Sequence, residues 1–352
     1  MSKQLPQNIT CDISIILPFY NAEKTIQTTL NSLISQTKKN IEILCIDDGS
    51  TDNSVKLVEQ LIGQSEIPVR LFKQQNQGVF KAREVGINNA KGTYVGFCDA
   101  DDTVNLSMFE KLYNSAKQNN ADMAICAFNR FENIRTEPST EMSTFGNSIF
   151  SVSNQSGWLA TINTSLWNKI LRTTIARKHV KLFDQPRITE DALFLLSIYP
   201  NIKTISFLSE PLYNYHASLG NAMKSITLAD CETIFSCWKE TRKRMLESNP
   251  LYIDILDFAA FIHLGLSLPL IMINNNDYIL FQTYLAKCKK TLKYYFPNYI
   301  SNRFLKLKYI YKNLNTMKMP FIASLVWKLN LLKPALIMYK QICSKLEYRK
   351  RW

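Results

Sequence analysis

Thr93-Tyr94-Val95-Gly96-Phe97-Cys98-Asp99-Ala100-Asp101-Asp102 is an apolar run that ends abruptly in acid. Its β-branched and aromatic residues suit a pleated, covered surface, so the run predicts a buried strand with its acids at the carboxyl end. In open α/β sheets, ligands bind outside that edge. Three crowded carboxylates repel one another unless a cation or hydrogen-bond donors lie between them. A divalent metal resolves the repulsion, because Mg²⁺ typically takes one or two protein carboxylates and completes its shell with water and substrate phosphates. The competing reading is a helix start, with Asp102 or Asn105 capping a helix that runs from Leu106. The stretch by itself leaves both open.

Working outward, the segments on the amino-terminal side repeat one pattern. Residues 12–20 form an apolar strand closed by Pro18, which cannot donate to a ladder. Asn21 then offers a cap to a helix whose apolar positions Ile26, Leu30, Leu33 and Ile34 recur at helical spacing. A second strand, 41–46, ends in the acidic turn Asp47-Asp48-Gly49-Ser50-Thr51-Asp52 and leads into a helix carrying Val55, Leu57, Val58 and Leu61. A third strand, 69–72, precedes Asn76-Gln77-Gly78 and a helix through Ala90. The acidic run is the fourth strand, followed by a helix over 106–118 and a strand over 121–126. This alternation predicts a mainly parallel sheet covered on both faces, with the turns at Asp47 and Asp99 on one edge. That edge is the expected pocket. The ten glycines include neither GxGxxG nor GxxxxGK[ST], which argues against a dinucleotide dehydrogenase or a P-loop NTPase. Phosphate must be held otherwise, and a metal on the acids plus a cation such as Arg83 would do it.

At 352 residues and 46% hydrophobic content, the chain is long enough for one large domain or two smaller ones. Its net charge of +13 is local: residues 285–352 hold 16 Lys and Arg against one acid, Glu347, which leaves 26 basic and 28 acidic side chains elsewhere. The eight cysteines form no CxxC pair, so reduced, buried thiols are expected rather than disulfides or a zinc site. Residues 1–12 contain no apolar signal-like core, which reads as cytoplasmic. The apolar segment 258–273 contains His263 and Pro269 and falls short of the ~20 residues of a spanning helix, so a buried or interfacial helix is expected.

Three segments together carry a family resemblance: ISIILPFYNAEKTIQTTLNSLISQT (13–37), IEILCIDDGSTDNS (41–54) and NQGVFKAREVGINNAKGTYVGFCDADD (76–102). In order and spacing they resemble the inverting GT-A glycosyltransferases of family 2. The resemblance implies an α/β GT-A fold, Rossmann-like, with a mainly parallel sheet and flanking helices. It implies that Pro18, Tyr20, Glu23 and Asp48 cradle the nucleotide base, Tyr20 stacking on it and Asp48 accepting the uracil imide proton. Gly78 and Arg83 match the next nucleotide contact, with Arg83 near the base or diphosphate. Asp99-Ala100-Asp101 stands as the DxD motif, implying Asp99 on the ribose or a metal-bound water and Asp101 as direct ligand of Mg²⁺ or Mn²⁺. Val79-Phe80-Lys81 and Arg83-Glu84 depart from the family pattern beside this pocket.

The catalytic half is read the same way. Residues 127–157 are polar and weakly periodic, a loop excursion or small hairpin. Leu166 to Leu171 starts a helical pattern and resembles the family's WNK segment, where Trp167 is either a sugar platform or core packing. Thr189-Glu190-Asp191 resembles the ED motif, implying Asp191 as general base and Glu190 as its neighbour, while two acids at a helix start also satisfy the helix dipole. Two short strands, 202–207 and 211–216, follow. His216 falls where relatives carry a basic residue near the diphosphate, which implies a further metal or phosphate contact, whereas a lone histidine is more often structural or solvated.

The expected organisation is a GT-A domain over 1–220, divided into a nucleotide-sugar half (12–126) and an acceptor half (127–220), then a helical basic region over 221–352. Helices are expected over 226–247, 253–273 and 278–295. Lys and Arg mixed with Phe321, Trp327, Leu331, Leu332, Tyr339, Tyr348 and Trp352 suggest attachment to an anionic membrane surface, on the inner face of the cytoplasmic membrane. No zinc-finger spacing or RNP signature accompanies the charge, so nucleic acid is not expected. The implied activity is transfer of a hexose or N-acetylhexosamine from a UDP-sugar to a saccharide or lipid-linked glycan acceptor, in bacterial surface polysaccharide or lipooligosaccharide synthesis. The alternatives are a processive polysaccharide synthase and a non-enzymatic peripheral membrane or nucleic-acid-binding protein.

Overall fold

The computed structural model describes residues 11–132, 135–138, 145–152, 159, 162–180, 186–216, 226–274, 277–312 and 314–345. The chain divides into two units, one of residues 1–155, 164–183 and 201–219, the other of 156–163, 184–200 and 220–352.

The first unit is built on a ten-stranded sheet. In chain order its elements are β1 (Cys11–Phe19), α1 (Ile26–Ile34), β2 (Ile41–Asp47), α2 (Ser54–Ile62), β3 (Val69–Lys73), α3 (Val79–Asn89), β4 (Gly92–Phe97), β5 (Thr103–Val104), α4 (Met108–Gln118), β6 (Met123–Glu132), β7 (Arg135–Pro138), β8 (Ile149–Ser151), β9 (Lys169–Arg172), α5 (Thr173–His179) and, after a helix of the other unit, β10 (Thr204–His216). The spatial order is β3-β2-β1-β4-β9-β6-β10-β5, with β7 on β6 and β8 on β10. The parallel pairs β3-β2, β2-β1 and β1-β4 form the half that holds the nucleotide motifs, and β6-β10 is parallel as well. β2 is buried at every position, as expected of a strand covered on both faces.

The sheet differs from the sequence reading in its second half. Residues 169–172 form a strand, not a helical turn, and β9 lies antiparallel between β4 and β6. Its run is too short for helical periodicity to arbitrate, and the free ladder edges of β4 and β6 decide the outcome. The two short strands expected over 202–216 are one, with register shifts at Leu208/Pro211 and Pro211/Tyr213. Pro211 cannot donate to the ladder, which localises the irregularity there. Asn21 does not cap α1, which starts after Thr25. Asn21 instead takes a φ of +47° and accepts the Thr51 N–H on Oδ1 at 2.8 Å.

The second unit contains α6 (Glu190–Ile198), α7 (Leu228–Ser248), α8 (Ile253–Ala260), α9 (Leu268–Asn274), α10 (Tyr278–Tyr295), α11 (Leu307–Lys312), α12 (Leu314–Lys328) and α13 (Leu332–Lys345). A capping box between Thr227 and Asp230 starts α7. Trp238, Phe258, Phe261, Phe281 and Tyr284 fill its core. Between α8 and α9 the helix widens into a π segment, Phe261–Ser267. The Leu264 carbonyl there accepts the Tyr284 O–H at 2.8 Å and the Cys288 thiol at 3.1 Å, so the irregular backbone is satisfied inside the core. The helix Pro250–Ile273 is long and apolar enough to cross a membrane by length and composition, and 72% of its apolar window is buried inside the protein. Within this core Arg242 pairs bidentately with the fully buried Asp257, at 2.7 and 3.2 Å. The seven cysteines described are free thiols. Tyr348 and Trp352, expected among the interfacial aromatics, lie outside the described residues.

Candidate active site

The registers of the parallel strands bring the motifs to one edge. Phe19 stands opposite Asp47 and Ile16 opposite Phe97. The chain beyond each strand stays in step, with Asp48 N–H on Phe19 O at 2.9 Å and Cys98 N–H on Ile16 O at 3.1 Å. Tyr20, Asp48 and Asp99 therefore leave three neighbouring strands at the same edge. Tyr20 is 49% exposed, a large ring held at the mouth without apolar cover.

Two loops are laced together there. Asn21 N–H donates to Ser50 Oγ at 3.0 Å, Ala22 N–H to Ser54 Oγ at 2.7 Å and Glu23 N–H to Asp52 Oδ2 at 3.0 Å. The Glu23 carboxylate in turn accepts the Asn53 backbone N–H at 3.2 Å. Glu23 thus serves the loop's own geometry. The pairing of the 21–23 loop with Ser50, Asp52 and Ser54 is one that sequence reasoning did not single out, because only the fold brings residues some 30 apart together.

Asp48 is buried at this junction. Its Oδ1 accepts Gln74 Nε2 at 2.7 Å and Gln77 N–H at 2.9 Å, and its Oδ2 accepts Gly78 N–H at 2.8 Å. A carboxylate offers about four acceptor positions, so among the described residues one position, on Oδ2, remains. Gly78 holds the turn with a φ of +92°, which a side chain would strain. Gly49, at φ +80°, leaves 2.8 Å between a hypothetical Cβ and Asn76 N, so no larger residue fits beneath that loop.

The acidic turn sorts its three carboxylates. Asp102 points inward and is fully buried, accepting the Tyr213 O–H on Oδ2 at 2.6 Å and the His216 N–H on Oδ1 at 2.7 Å. It caps no helix: α4 begins after Ser107, whose N–H and O–H go to Asn105 Oδ1 at 3.0 and 2.9 Å. Burial, then the charges of Asp99 and Asp101, push the Asp102 carboxyl up to about 8. Asp101 is pushed up to about 6 by burial and then by the Asp99 charge. A carboxyl held that high favours a cation beside its ionised form. Among the described residues no group of three or more His, Cys, Asp and Glu side chains could by itself hold a metal. Asp99 and Asp101 make a two-carboxylate donor set, which suits Mg²⁺ or Mn²⁺ completed by water and phosphate oxygens.

Arg83 belongs to α3. It is 3% exposed, and its Nη2 donates to Asp99 Oδ1 at 3.0 Å, which aims that carboxylate. His216 lies against the same turn, with its ring stacked on Phe131 at 5.0 Å and Nε2 3.4 Å from Thr103 Oγ1. Burial lowers its pKa, favouring the neutral imidazole. Trp167 is 6% exposed and stacks on Tyr213 at 4.3 Å and on Tyr215 at 5.6 Å. Its faces are taken by tyrosines, so it braces the acidic turn from within. Asn168 and Lys169 are buried beside it.

Glu190 and Asp191 form the first turn of α6 in the second unit. The residue before them, Thr189, takes a φ of +73°, which a β-branched residue rarely tolerates. Trp238 Nε1–H from α7 donates to Thr189 Oγ1 at 3.0 Å. The rest of α6, from Ala192 to Ile198, is buried.

Comparison with known proteins bears on family and fold. The model of the family described as "Glycosyl transferase family 2" matches residues 14–177. A cholesterol galactosyltransferase of Borreliella burgdorferi is 29% identical over 227 residues, covering 61% of this chain and 63% of that protein. The chain therefore spans under two thirds of that relative's length. An uncharacterized glycosyltransferase of Haemophilus influenzae is 32% identical over 211 residues, 58% of this chain and 77% of its own. Among solved structures, residues 1–349 of S. aureus TarS in complex with UDP-GlcNAc superpose with a TM-score of 0.69 at 22% identity, over 91% of this chain and 92% of that one.

Proposed function

The chain belongs to glycosyl transferase family 2, and from that membership we propose that it moves a hexose or N-acetylhexosamine from a UDP-sugar to a glycan acceptor, with inversion at the anomeric carbon. The observation that carries the proposal is the convergence of Tyr20, Asp48 and the Asp99–Asp101 pair on one edge of the parallel half-sheet. The solved TarS structure holds UDP-GlcNAc and the Borreliella relative is named for galactose transfer, which supports a UDP-hexose or N-acetylhexosamine donor.

In this reading the exposed face of Tyr20 stacks on the base, since an aromatic face suits a flat heterocycle. The remaining acceptor position on Asp48 Oδ2 takes the uracil imide N–H, while its other bonds hold the 74–78 loop in place. β1 ends at Phe19, one residue past Pro18, so that Tyr20 turns into the site, and Glu23 keeps that loop against the 50–54 turn. Asp101, with Asp99, would hold Mg²⁺ or Mn²⁺, which when bound offsets the charge that builds on the departing nucleoside diphosphate. Arg83 orients Asp99 for this task, and His216 stands next to the turn as a neutral hydrogen-bonding group.

Inversion in a single displacement needs a base for the acceptor hydroxyl on the side opposite the leaving group. Asp191 takes that proton, with Glu190 beside it. The natural acceptor is a saccharide, free or lipid-linked, of the kind assembled into surface polysaccharide.

A panel of UDP-sugars with and without Mn²⁺, read by thermal stabilisation and by UDP release, tests the proposal. A ligand that binds only the native state raises its apparent stability. The expected result is a Mn²⁺-dependent shift for one UDP-sugar and slow UDP release that a saccharide acceptor accelerates. No shift with any UDP-sugar would sink the donor assignment. Product length by mass spectrometry separates single addition from polymerisation.

A further inference from the structure

Helix α12 exposes the side that a surface helix normally keeps polar. Its inner face is Met317, Ser324 and Trp327, all buried. Trp327 is anchored, with Nε1–H donating to the Tyr299 hydroxyl at 3.0 Å and its ring meeting Phe261 edge-on. With the rotation of the helix set by those contacts, the 3.6-residue period puts Lys318, Ile322, Leu325 and Leu329 in one row on the outer side. Ile322, Leu325 and Leu329 are 42%, 43% and 68% exposed. Past the turn at Asn330, Leu331 and, on α13, Met338 add exposed apolar surface.

We infer that this outer face of α12 and α13 docks on an anionic lipid bilayer. Charge supplies the choice of occupant. From residue 278 to 346 the sequence has 13 Lys and Arg and no acid, and Lys318 and Lys328 are both exposed beside the apolar row. Leucines flanked by lysines are the composition of a helix lying in the headgroup region, where the apolar side enters the acyl boundary and the long basic stems reach back to phosphate. A second copy of this chain would bring Lys318 and Lys328 beside the same lysines of its partner face, and like charges oppose that association. A protein partner fits less well, because interface cores are enriched in aromatics and Arg and depleted in Lys. Nucleic acid would use the charge and leave the leucines in water.

The inference is independent of the transfer chemistry, and its test does not use activity. Full-length protein is sedimented with vesicles of phosphatidylcholine with or without phosphatidylglycerol, at low and high salt. The expected result is binding to the phosphatidylglycerol vesicles, weakened by salt and reduced at least ~10-fold in the Leu325→Ser, Leu329→Ser double variant. Lys318→Glu with Lys328→Glu touches only exposed side chains and should lose binding similarly, so a folding defect in the leucine variant leaves the test intact. Wild-type binding retained in a folded leucine variant would overturn the inference. So would the absence of vesicle binding together with a concentration-dependent dimer that the leucine variant dissolves, or with salt-sensitive binding to DNA.

Discussion

Tyr213 donates its phenolic O–H to Asp102 Oδ2 at 2.6 Å, and its phenolic oxygen accepts the Asp99 N–H at 3.2 Å. One phenol on β10, backed by the Trp167 ring, thus holds both ends of the acidic turn. Asp102 is engaged in holding the turn. Asp102→Ala leaves the Tyr213 O–H and the His216 N–H without their acceptor and should cost about 2–6 kcal/mol, since each orphaned buried group costs about 1–3. Asp102→Asn retains an acceptor for the His216 N–H and should cost under about 1.5 kcal/mol. Denaturant unfolding of the three proteins checks the order. If Asp102→Asn lost turnover as fully as Asp101→Asn, the inward carboxylate would have to be counted among the ligands.

Asp101→Asn should lower Mn²⁺-dependent UDP binding at least ~100-fold, the scale of several kcal/mol of charge stabilisation. Asp99→Asn should cost less, because one oxygen of Asp99 already serves Arg83. Titration calorimetry with UDP and Mn²⁺ measures both. The Asp101 carboxyl is held up at about 6, and a metal binds the ionised form. Mn²⁺ affinity of the wild type should therefore fall as pH drops through that value, and a flat profile down to pH ~4.5, above the ordinary carboxylate pKa, would argue against Asp101 as ligand.

The parallel half of the fold was legible because strands 41–46 and 93–97 are continuous apolar runs, each followed by acid, and the motif spacings place those acids on one edge. The partners of the acids were not legible. Arg83 meets Asp99 because α3 packs over the sheet, and Tyr213 meets Asp102 across 111 residues, separations to which no periodicity extends. Trp167 reads equally as platform or core in the sequence, and only the stacked Tyr213 and Tyr215 decide for core. Residues 169–172 misread as helix because four residues cannot display a period of 3.6.

Asp191→Asn should reduce turnover by ~10²–10⁴-fold while leaving UDP-sugar binding nearly unchanged, the range typical for loss of a general base. Trp238→Phe supplies a finer test. It keeps an aromatic ring in the core but removes the N–H that holds Thr189 at φ +73°, and Thr189 directly precedes the two acids. We expect a lower kcat with little change in donor KM, because Trp238 acts through the start of α6. Thr189→Asn, which tolerates a left-handed conformation better than a β-branched residue and keeps an acceptor for the indole, should retain most of the activity. Steady-state kinetics on the three variants separates a positioning role from general destabilisation, which would lower the active fraction in all of them.

His263 sits in the π segment of the second unit with its ring 5.7 Å from that of Trp238. Burial lowers its pKa from 6.5 to about 4. In the unfolded chain the imidazole takes a proton near pH 6.5, whereas in the folded chain it resists until about pH 4, so the unfolded state binds more protons between those values. A base whose folded pKa is depressed contributes stability that is present above its unfolded pKa and is lost as pH falls toward the folded one. The full linkage for such a shift is about 3 kcal/mol, and the partial exposure of the residue as a whole reduces it. His263→Phe removes the titration and keeps a ring against Trp238. Unfolding free energies of wild type and variant, measured from pH 7 to pH 4, should therefore converge toward acid, with the wild type losing about 1–2 kcal/mol more than the variant over that range. Parallel curves would mean that the imidazole is solvated in the folded protein, and that the π segment opens to water instead of closing over His263.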